Sequence, residues 1–525
     1  MHHCLRIPEI VAQICDQSLS LSWKRGSGTV VALARTCRAF HEPATAHLWY
    51  EIDTLIPLVK CMPADLWTIT GENSQTLVFN RAVFPTDWPR FTKYARHVRR
   101  FGFRFWHWID VSVSVYESLH LAAAGQVLLP HLKELYWSYG RADGALPFIC
   151  LFMPPNLCTF HISTHTSLPI IASLVANLSS RYPLLSDVAL NIHGERDTTS
   201  AVSTAVCAWH RLRRLYVTRL NGDALLHAAK LPELQHISFT SREGLQFPDT
   251  SSISTFPALV DLLLDCDDFS FCVDLLRSMA PGAVLEWISL KAYNAPPPGF
   301  GWRDLANALH DTCSHSSPQR ITIWDDFEKE DGSEVEDFGE DLMIVTEHLR
   351  PLLHFSHITN IDLYSRYGFD LDDTLLRDLA KAWPRLQYLS IKGGPPQGRI
   401  PRVTIASLRI LARHCKHLQT ITMAFDARLV PPPKASQRVF STRLFILDVI
   451  GSSISNAVKV AAFLSDVFPR LASVTNCDAI YRRHDEQPES EMDKKWTEVE
   501  HLMRDFAIVR AQETARRNPV ASDDE

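Results

Sequence analysis

Residues 212–217 read LRRLYV, and residues 386–391 read LQYLSI. Both stretches place apolar side chains at the first, fourth and sixth positions, so the last three positions alternate. Alternation with a period of two is typical of a β-strand that buries one face. The same pattern begins at Val98, Leu132, Leu157, Leu185, Leu212, Leu234, Leu259, Leu285, Ile358, Leu386, Leu418, Leu444 and Leu471, with a weaker case at Ile321.

The spacing of these patterns is regular enough to indicate a repeat. Successive starts between Leu132 and Leu285 are separated by 25, 28, 27, 22, 25 and 26 residues. Leucine-rich repeats recur with a similar period of roughly 20–29 residues. The intervening stretches carry apolar residues at helical spacing, as in Leu375, Leu379 and Trp383. We therefore predict an α/β fold, an irregular leucine-rich-repeat solenoid with parallel strands on its concave face.

The first fifty residues follow a different, helical pattern. One apolar stripe at helical spacing consists of Ile7, Ile10, Val11 and Ile14. This stripe predicts a short helix beginning near Pro8, since proline suits the first helical turn. Residues 17–29 are polar and predict a loop, a second stripe begins at Val30, and Pro43 predicts the start of a third helix. Three such helices bury little surface, so we expect them to need a partner or an adjoining domain.

The same region resembles the F-box family. The resemblance is carried by LRIPEI at residues 5–10, LARTCRAF at residues 33–40 and HLW at residues 47–49. It implies docking to the Skp-type adaptor of a cullin–RING ubiquitin ligase. The residues we assign to adaptor binding are Ile7, Pro8, Ile10, Ile14, Leu33, Cys37, Phe40, Leu48 and Trp49. Residues 51–62 are similar to the stretch that follows in many fungal F-box proteins.

The chain therefore divides into four predicted regions. They are a helical F-box-like domain at 1–50, a connecting segment at 51–95 and the repeat solenoid at 96–478, followed at 479–525 by a charged loop, a capping helix and a disordered tail. The acidic stretch at 325–341 interrupts the repeats and predicts a solvated loop.

Composition and motifs exclude several classes of function. The 53 lysines and arginines against 59 acidic residues give a net charge of −6 over 525 residues, so we expect no nucleic-acid partner. No long apolar window or secretory signal is present, so we expect no membrane partner and a cytoplasmic or nuclear location. Neither metal-ligand spacing nor a nucleophile motif is found, so we expect no cofactor, no metal and no catalytic residue.

The F-box resemblance, joined to the repeats, thus implies a non-catalytic adaptor that presents a target protein to a ubiquitin ligase. The Skp-type adaptor would link it to a cullin, and the exposed strand positions would hold the target, whose identity is unknown. The candidate target-binding residues are Arg213, Arg214, Tyr216, His236, Asp261, Arg385, Gln387 and Tyr388. An interaction scaffold with a vestigial F-box, independent of ubiquitin, is the alternative, because Glu9 directly follows Pro8 and the link at 18–29 is long.

Overall fold

The computed structural model describes most of the chain as two compact units, Met1–Leu234 and Gln235–Glu525. The described residues are 7–20, 23–72, 75–102, 109–137, 143–164, 169–192, 196–241, 245, 255–294, 301–326, 343–393, 400–432, 439–476 and 490–517.

The first unit begins with three helices and continues as alternating strands and helices. Its helices are α1 (Pro8–Ser20), α2 (Trp23–Thr36), α3 (Arg38–Leu48), α4 (Ile56–Val59), α5 (Trp88–Ala95), α6 (Val113–Ala123), α7 (Pro169–Arg181), α8 (Arg196–Ala208) and α9 (Gly222–Ala229). Its strands are β1 (Glu51–Ile52), β2 (Trp67–Thr70), β3 (Gln75–Phe79), β4 (Arg100–Gly102), β5 (Ile109–Val111), β6 (Glu134–Trp137), β7 (Thr159–Thr164), β8 (Asp187–Ile192) and β9 (Arg214–Val217). Strands β1, β4, β6, β7, β8 and β9 pair in this order, all parallel.

The second unit repeats the same alternation. Its strands are β10 (His236–Ser241), β11 (Asp261–Cys266), β12 (Trp287–Ala292), β13 (Arg320–Asp325), β14 (Ile344–Val345), β15 (Asn360–Ser365), β16 (Phe369–Asp370), β17 (Tyr388–Lys392), β18 (Thr420–Met423), β19 (Asp426–Ala427), β20 (Ile446–Asp448), β21 (Ser453–Ile454) and β22 (Ser473–Thr475). Its helices are α10 (Phe269–Ser278), α11 (Trp302–Thr312), α12 (Thr346–Leu349), α13 (Asp373–Ala382), α14 (Ser407–His414), α15 (Ala457–Val467) and α16 (Glu491–Arg517). The main sheet runs β10, β11, β12, β13, β15, β17, β18, β20 and β22, again all parallel.

The predicted repeat pattern matches the observed strands. Every predicted strand is present, and each begins two residues after the first residue of its pattern, as Arg214 follows Leu212 and Tyr388 follows Leu386. The weaker case at Ile321 lies within β13. Strand β1, which pairs with β4, was not part of the prediction. The predicted α/β leucine-rich-repeat architecture is confirmed.

Alternating burial explains why these stretches form strands. In β9, Leu215 and Val217 are buried, whereas Arg214 and Tyr216 remain accessible. The apolar residue that opens each pattern is also buried, as at Leu212. Burying one such side chain contributes about 1.5–3 kcal/mol, so the core of each unit is built repeat by repeat. We call the accessible side of each main sheet its open face, meaning the strand positions that alternate with the buried ones.

The helix boundaries near the N-terminus differ from those predicted. The loop expected at 17–29 is wrong, because α1 continues to Ser20 and α2 already begins at Trp23. The hydroxyl of Ser18 donates to the carbonyl of Ile14 at 2.8 Å, which keeps a polar residue within the helix. The third helix begins at Arg38, not at Pro43, which lies inside it.

The long polar insertion lies almost entirely outside the described residues. Of the acidic stretch at 325–341, the structure describes only Asp325 and Asp326. Asp325 ends β13, is 2% exposed and accepts a hydrogen bond from Trp302 Nε1 at 3.2 Å. Burial raises the pKa of Asp325 to about 6, although the Trp302 hydrogen bond opposes this shift. The folded chain therefore binds a proton at this carboxyl more tightly than the unfolded chain does.

This buried carboxyl predicts a pH-dependent stability. Ionising Asp325 costs free energy in the folded state, so stability falls as pH rises between about 3.8 and about 6. Asp325→Asn keeps an acceptor for Trp302, and we expect it to stabilise the protein by about 1–3 kcal/mol at pH 8 with little effect at pH 4. Thermal unfolding at both pH values, with the exposed Asp274→Asn as the control, measures this. Equal effects at both pH values would contradict it.

Candidate functional site

The three N-terminal helices pack around a very small core. Val11 and Cys15 of α1, Val30 of α2 and Ala44 of α3 are buried at 0–1% exposure. Four small or medium side chains supply little hydrophobic free energy to hold the three-helix module, α1 to α3, together. The stability of the helices therefore depends on what they contact beyond this core.

The predicted docking residues fall into an inner and an outer group. Leu33, Phe40 and Leu48 are partly buried and pack against the small core. Ile10 and Ile14 are half-buried on α1, and Ile7 is 45% exposed just before it. Pro8 begins α1, and its side chain lies outside the described set; an additional apolar residue, Val31 on α2, is 43% exposed.

Two further predicted residues hold the module together. Cys37 separates α2 from α3 in an extended conformation, and its carbonyl accepts the first hydrogen bonds of α3 from the backbone N–H groups of Phe40 and His41. Trp49 stacks on Tyr94 of α5, with ring centroids 4.8 Å apart and an interplanar angle of 16°. Trp49 thus attaches the helices to the connecting segment, whereas α1 presents the accessible apolar residues.

An ion pair reinforces the same attachment. Arg96, just after α5, places a guanidinium nitrogen 2.7 Å from Glu42 of α3. Both side chains are about half exposed, so the pair contributes less than about 1 kcal/mol. The ion pair mainly helps to position α3 against the residues at the end of α5, on the side that Trp49 also contacts.

The open face of the first unit carries a connected polar network. Arg100 Nε lies 2.8 Å from Glu134, and its Nη1 lies 3.6 Å from Glu51 on the neighbouring strand. Tyr136 donates its hydroxyl to the same Glu134 at 2.8 Å. The hydrogen bond and charge of Glu134 raise the pKa of Arg100. These contacts hold the side chains in place more than they expose free binding groups.

Asp187 is the centre of a second network on this face. Its carboxylate lies 2.8 Å from His161 Nε2 and 3.4 Å from Arg214. Burial alone would raise the pKa of Asp187, but the His161 hydrogen bond and the charges of His161 and Arg214 lower it. Arg213 pairs with Glu233 at 3.0 Å, and Tyr216 contacts the His161 ring at 6.5 Å between centroids. The three predicted target-binding residues of this unit are thus near one another.

The predicted residues of the second unit lie on two separated parts of its sheet. His236 Nδ1 and Asp261 form a 2.6 Å hydrogen bond across β10 and β11. Arg385 and Gln387 are exposed in the turn before β17, and Tyr388 is the half-buried first residue of that strand. The structure therefore does not bring these five residues into one site.

A third cluster, centred on Trp324, was missed by sequence reasoning. Lys291 Nζ lies 5.2 Å from the centre of the Trp324 ring, and Lys392 Nζ lies 5.3 Å from it. Trp324 donates its indole N–H to Asp362 at 3.2 Å, and its ring lies 5.7 Å from Tyr364. The signal was available, since Trp324 follows Ile323 and must alternate onto the open face.

Supporting contacts fix the geometry of the Trp324 cluster. Tyr364 donates its hydroxyl to Asp326 at 3.2 Å, and burial together with Asp326 raises the pKa of Tyr364 to about 12. Lys392 Nζ also lies 3.6 Å from Asp362. The cluster is built on paired strands, so its side chains are positioned before any ligand arrives.

Two kinds of site are not found in the part of the chain that the structure describes. Within it, no group of three or more histidine, cysteine, aspartate or glutamate side chains is arranged to hold a metal ion. Among the same residues, no helix combines the length and apolar character that a membrane span requires. The features that remain are accessible apolar residues on α1 and α2 and polar or aromatic clusters on the open faces.

Comparison with known proteins shows no family for this chain. No family model matches the chain, and no curated protein matches it. Among solved structures, the Rad7–Elc1 complex of yeast is similar at 15% identity over 66% of this chain and 75% of that chain, with a TM-score of 0.38. The TLR13–ssRNA13 complex is similar at 13% identity over 74% of this chain and 57% of that chain, with a TM-score of 0.28. Both TM-scores lie below 0.5, so neither likeness carries an argument.

Proposed function

We propose that the chain is a non-catalytic, substrate-recognising adaptor of a Skp–cullin–F-box type ubiquitin ligase. Residues 1–50 would bind a Skp-type adaptor, which links the chain to a cullin, and the open faces would hold a target protein in the cytoplasm or nucleus. The observation that carries the proposal is the set of accessible apolar residues on helices whose sequence resembles an F-box. They are Ile7, Ile10, Ile14 and Val31.

The packing of the N-terminal helices supports a docking role. Val11 and Cys15 of α1 belong to the small core, whereas Ile10 and Ile14 stay half-buried and Ile7 is 45% exposed. A helix that has already buried one face and still presents isoleucines has apolar area left for a partner. Burying two such side chains at an interface contributes enough free energy to change affinity by more than tenfold.

The repeats support the second half of the role. A parallel sheet with mixed charged and aromatic side chains suits recognition of a protein over a wide area. The networks around Arg100 and Asp187 hold their side chains in place, which lowers the conformational entropy lost on binding. Positioning a target beside a ligase requires no covalent chemistry in the chain itself.

The docking prediction concerns two outer isoleucines. We expect Ile7→Ser together with Ile10→Ser to weaken capture of a purified Skp-type adaptor at least tenfold, because the accessible part of both side chains would become buried in the complex. The measurement is biolayer interferometry with the full-length chain immobilised. The matched control is Val458→Ser with Ile508→Ser, two apolar residues that are 52% and 56% exposed in the second unit.

The outcome separates the proposal from its alternative. Capture by the wild type and the control, but not by the docking variant, supports the ligase role. If the wild type binds no Skp-type adaptor while circular dichroism shows it folded, the proposal fails. The interaction scaffold, independent of ubiquitin, then becomes the better account.

A further inference from the structure

We propose that the Trp324 cluster binds an acidic, extended segment of a partner protein. The Trp324 cluster consists of Lys291, Trp324, Asp362, Tyr364 and Lys392 on β12, β13, β15 and β17. This proposal rests on the target-binding half of the proposed function, and it adds the chemistry of the target and the place where it binds. It does not depend on adaptor docking by the N-terminal helices.

The first argument is the chemistry around the indole. Two ammonium groups lie within 5.3 Å of the Trp324 ring centre, and Tyr364 extends the aromatic surface beside it. Tryptophan and tyrosine are enriched among residues that dominate binding energy at protein interfaces. An anionic group brought to this surface would be attracted by two cations already held near the aromatic ring.

The second argument is the balance of charge. On the open face of β12, β13, β15 and β17, the charged residues are Lys291, Arg320, Lys392 and Asp362, which gives a net charge of +2. Lys392 is partly neutralised by Asp362, whereas Lys291 makes no ion pair within the described part of the chain. The whole chain carries a net charge of −6, so this local excess of positive charge is opposite in sign to the rest.

Acidic residues mark the limits of the positive surface. Asp265 on β11 lies beside Lys291 in the strand register, and Asp261 on the same strand pairs with His236. Asp326, directly after β13, accepts the hydroxyl of Tyr364 and so lies at the C-terminal end of the same strands. Asp265 on β11 therefore repels a carboxylate ligand, whereas Lys291, Arg320 and Lys392 on β12, β13 and β17 attract it.

The third argument is a second aromatic–cation pair on the same strands. Arg320 lies 5.9 Å from the ring centre of Trp287, which is 37% exposed. Trp287 and Lys291 are four residues apart on β12, a distance of about 13 Å along a strand. An extended peptide covers the same distance in about four residues. The geometry therefore fits acidic side chains spaced four positions apart.

The test uses a defined peptide and the full-length chain. The probe is a short fluorescein-labelled peptide with glutamates four positions apart and leucines between them, and its glutamine analogue is the uncharged control. Fluorescence anisotropy measures binding at low and moderate salt. We expect the glutamate peptide to bind, the glutamine peptide to bind at least tenfold more weakly, and added salt to weaken binding.

Two charge-reversal variants locate the binding. Lys291→Glu with Lys392→Glu is expected to reduce affinity at least tenfold. Lys381→Glu with Lys459→Glu makes the same change in net charge at exposed positions on α13 and α15, and it is expected to change affinity less than twofold. Equal losses in both variants would show non-specific attraction and overturn the proposal, as would absence of wild-type binding. Because no Skp-type adaptor is present, this failure is distinguishable from failure of the docking role.

Trp324 itself gives an independent readout. The indole contacts both lysines, so bound peptide should change its fluorescence, and Trp324→Phe should reduce that change. Trp324→Phe keeps an aromatic ring for packing but loses the hydrogen bond to Asp362. An identical fluorescence change in Trp324→Phe would place the peptide elsewhere on the protein and overturn the assignment.

Discussion

Trp496→Ala is expected to lower the free energy of unfolding by about 3–5 kcal/mol. Trp496 lies on α16, is 2% exposed and donates its indole N–H to the carbonyl of Ser452 at 2.7 Å. Its ring also meets Phe425 edge-on at 5.9 Å. The substitution therefore removes a large buried ring and leaves a buried carbonyl without its donor.

Two further variants test the cause of that loss. Trp496→Phe keeps a six-membered aromatic ring but loses the N–H donor and part of the indole, so we expect a smaller cost, about 1–3 kcal/mol. Trp287→Ala removes a tryptophan that is 37% exposed on the open face, and we expect it to cost less than about 1 kcal/mol. Urea unfolding followed by circular dichroism measures all three. A cost below about 1 kcal/mol for Trp496→Ala would show that α16 does not cover the last repeats.

Gly393→Ala is expected to cost about 3 kcal/mol or more, because two penalties coincide there. Gly393 follows β17 with a φ of +102°, a conformation that side chains other than glycine rarely adopt. A Cβ atom at this position would also lie 2.0 Å from the backbone oxygen of Ser365. The contact is with backbone, so it can be relieved only by shifting the turn after β15 or β17.

Gly282 supplies the control that separates these penalties. Its φ is +85°, and a Cβ atom there would have no neighbour within 4 Å. Gly282→Ala should therefore show only the conformational cost, about 1–2 kcal/mol. Thermal unfolding of both variants measures the difference. Equal losses at the two positions would contradict the close approach between the backbones after β15 and β17.

The sequence was sufficient to predict the repeats because their signal is local and recurs many times. The apolar residue that opens each pattern, such as Leu212 or Leu386, is buried just before the strand that follows it. Each repeat needs only its neighbours to bury that face, so a pattern of six residues determines a whole strand. β1 was missed because its two residues, Glu51 and Ile52, are too short for any periodicity.

The bounds of the N-terminal helices were harder to predict, because the polar residues, glycines and proline that usually mark helix ends lie inside these helices. Polar residues and glycines between Gln17 and Thr29 favoured a loop, but the helices extend across most of that stretch. Pro43 favoured a helix that starts there. The chain is instead extended at Cys37, and α3 begins directly after it at Arg38. A proline inside a helix removes one hydrogen bond, a cost that surrounding contacts can offset.

Sequence reasoning identified candidate binding residues but could not group them. Period-two alternation correctly placed Arg214 and Tyr216 on the accessible side of β9. It could not show that Asp187 holds Arg214, because that pairing depends on the register between β8 and β9. Likewise, Lys291 and Lys392 are about a hundred residues apart and meet at Trp324 only through the order of four paired strands.

Hydrogen–deuterium exchange of the full-length chain, with and without a purified Skp-type adaptor, tests the central claim most directly. The account predicts a complex in which residues 7–20 and 23–36 become protected, because α1 and α2 carry the accessible apolar residues. It also predicts unchanged exchange in β10 to β22, which would remain free for a target. Failure to form a complex at micromolar concentration, or protection confined to the repeats, would contradict the account.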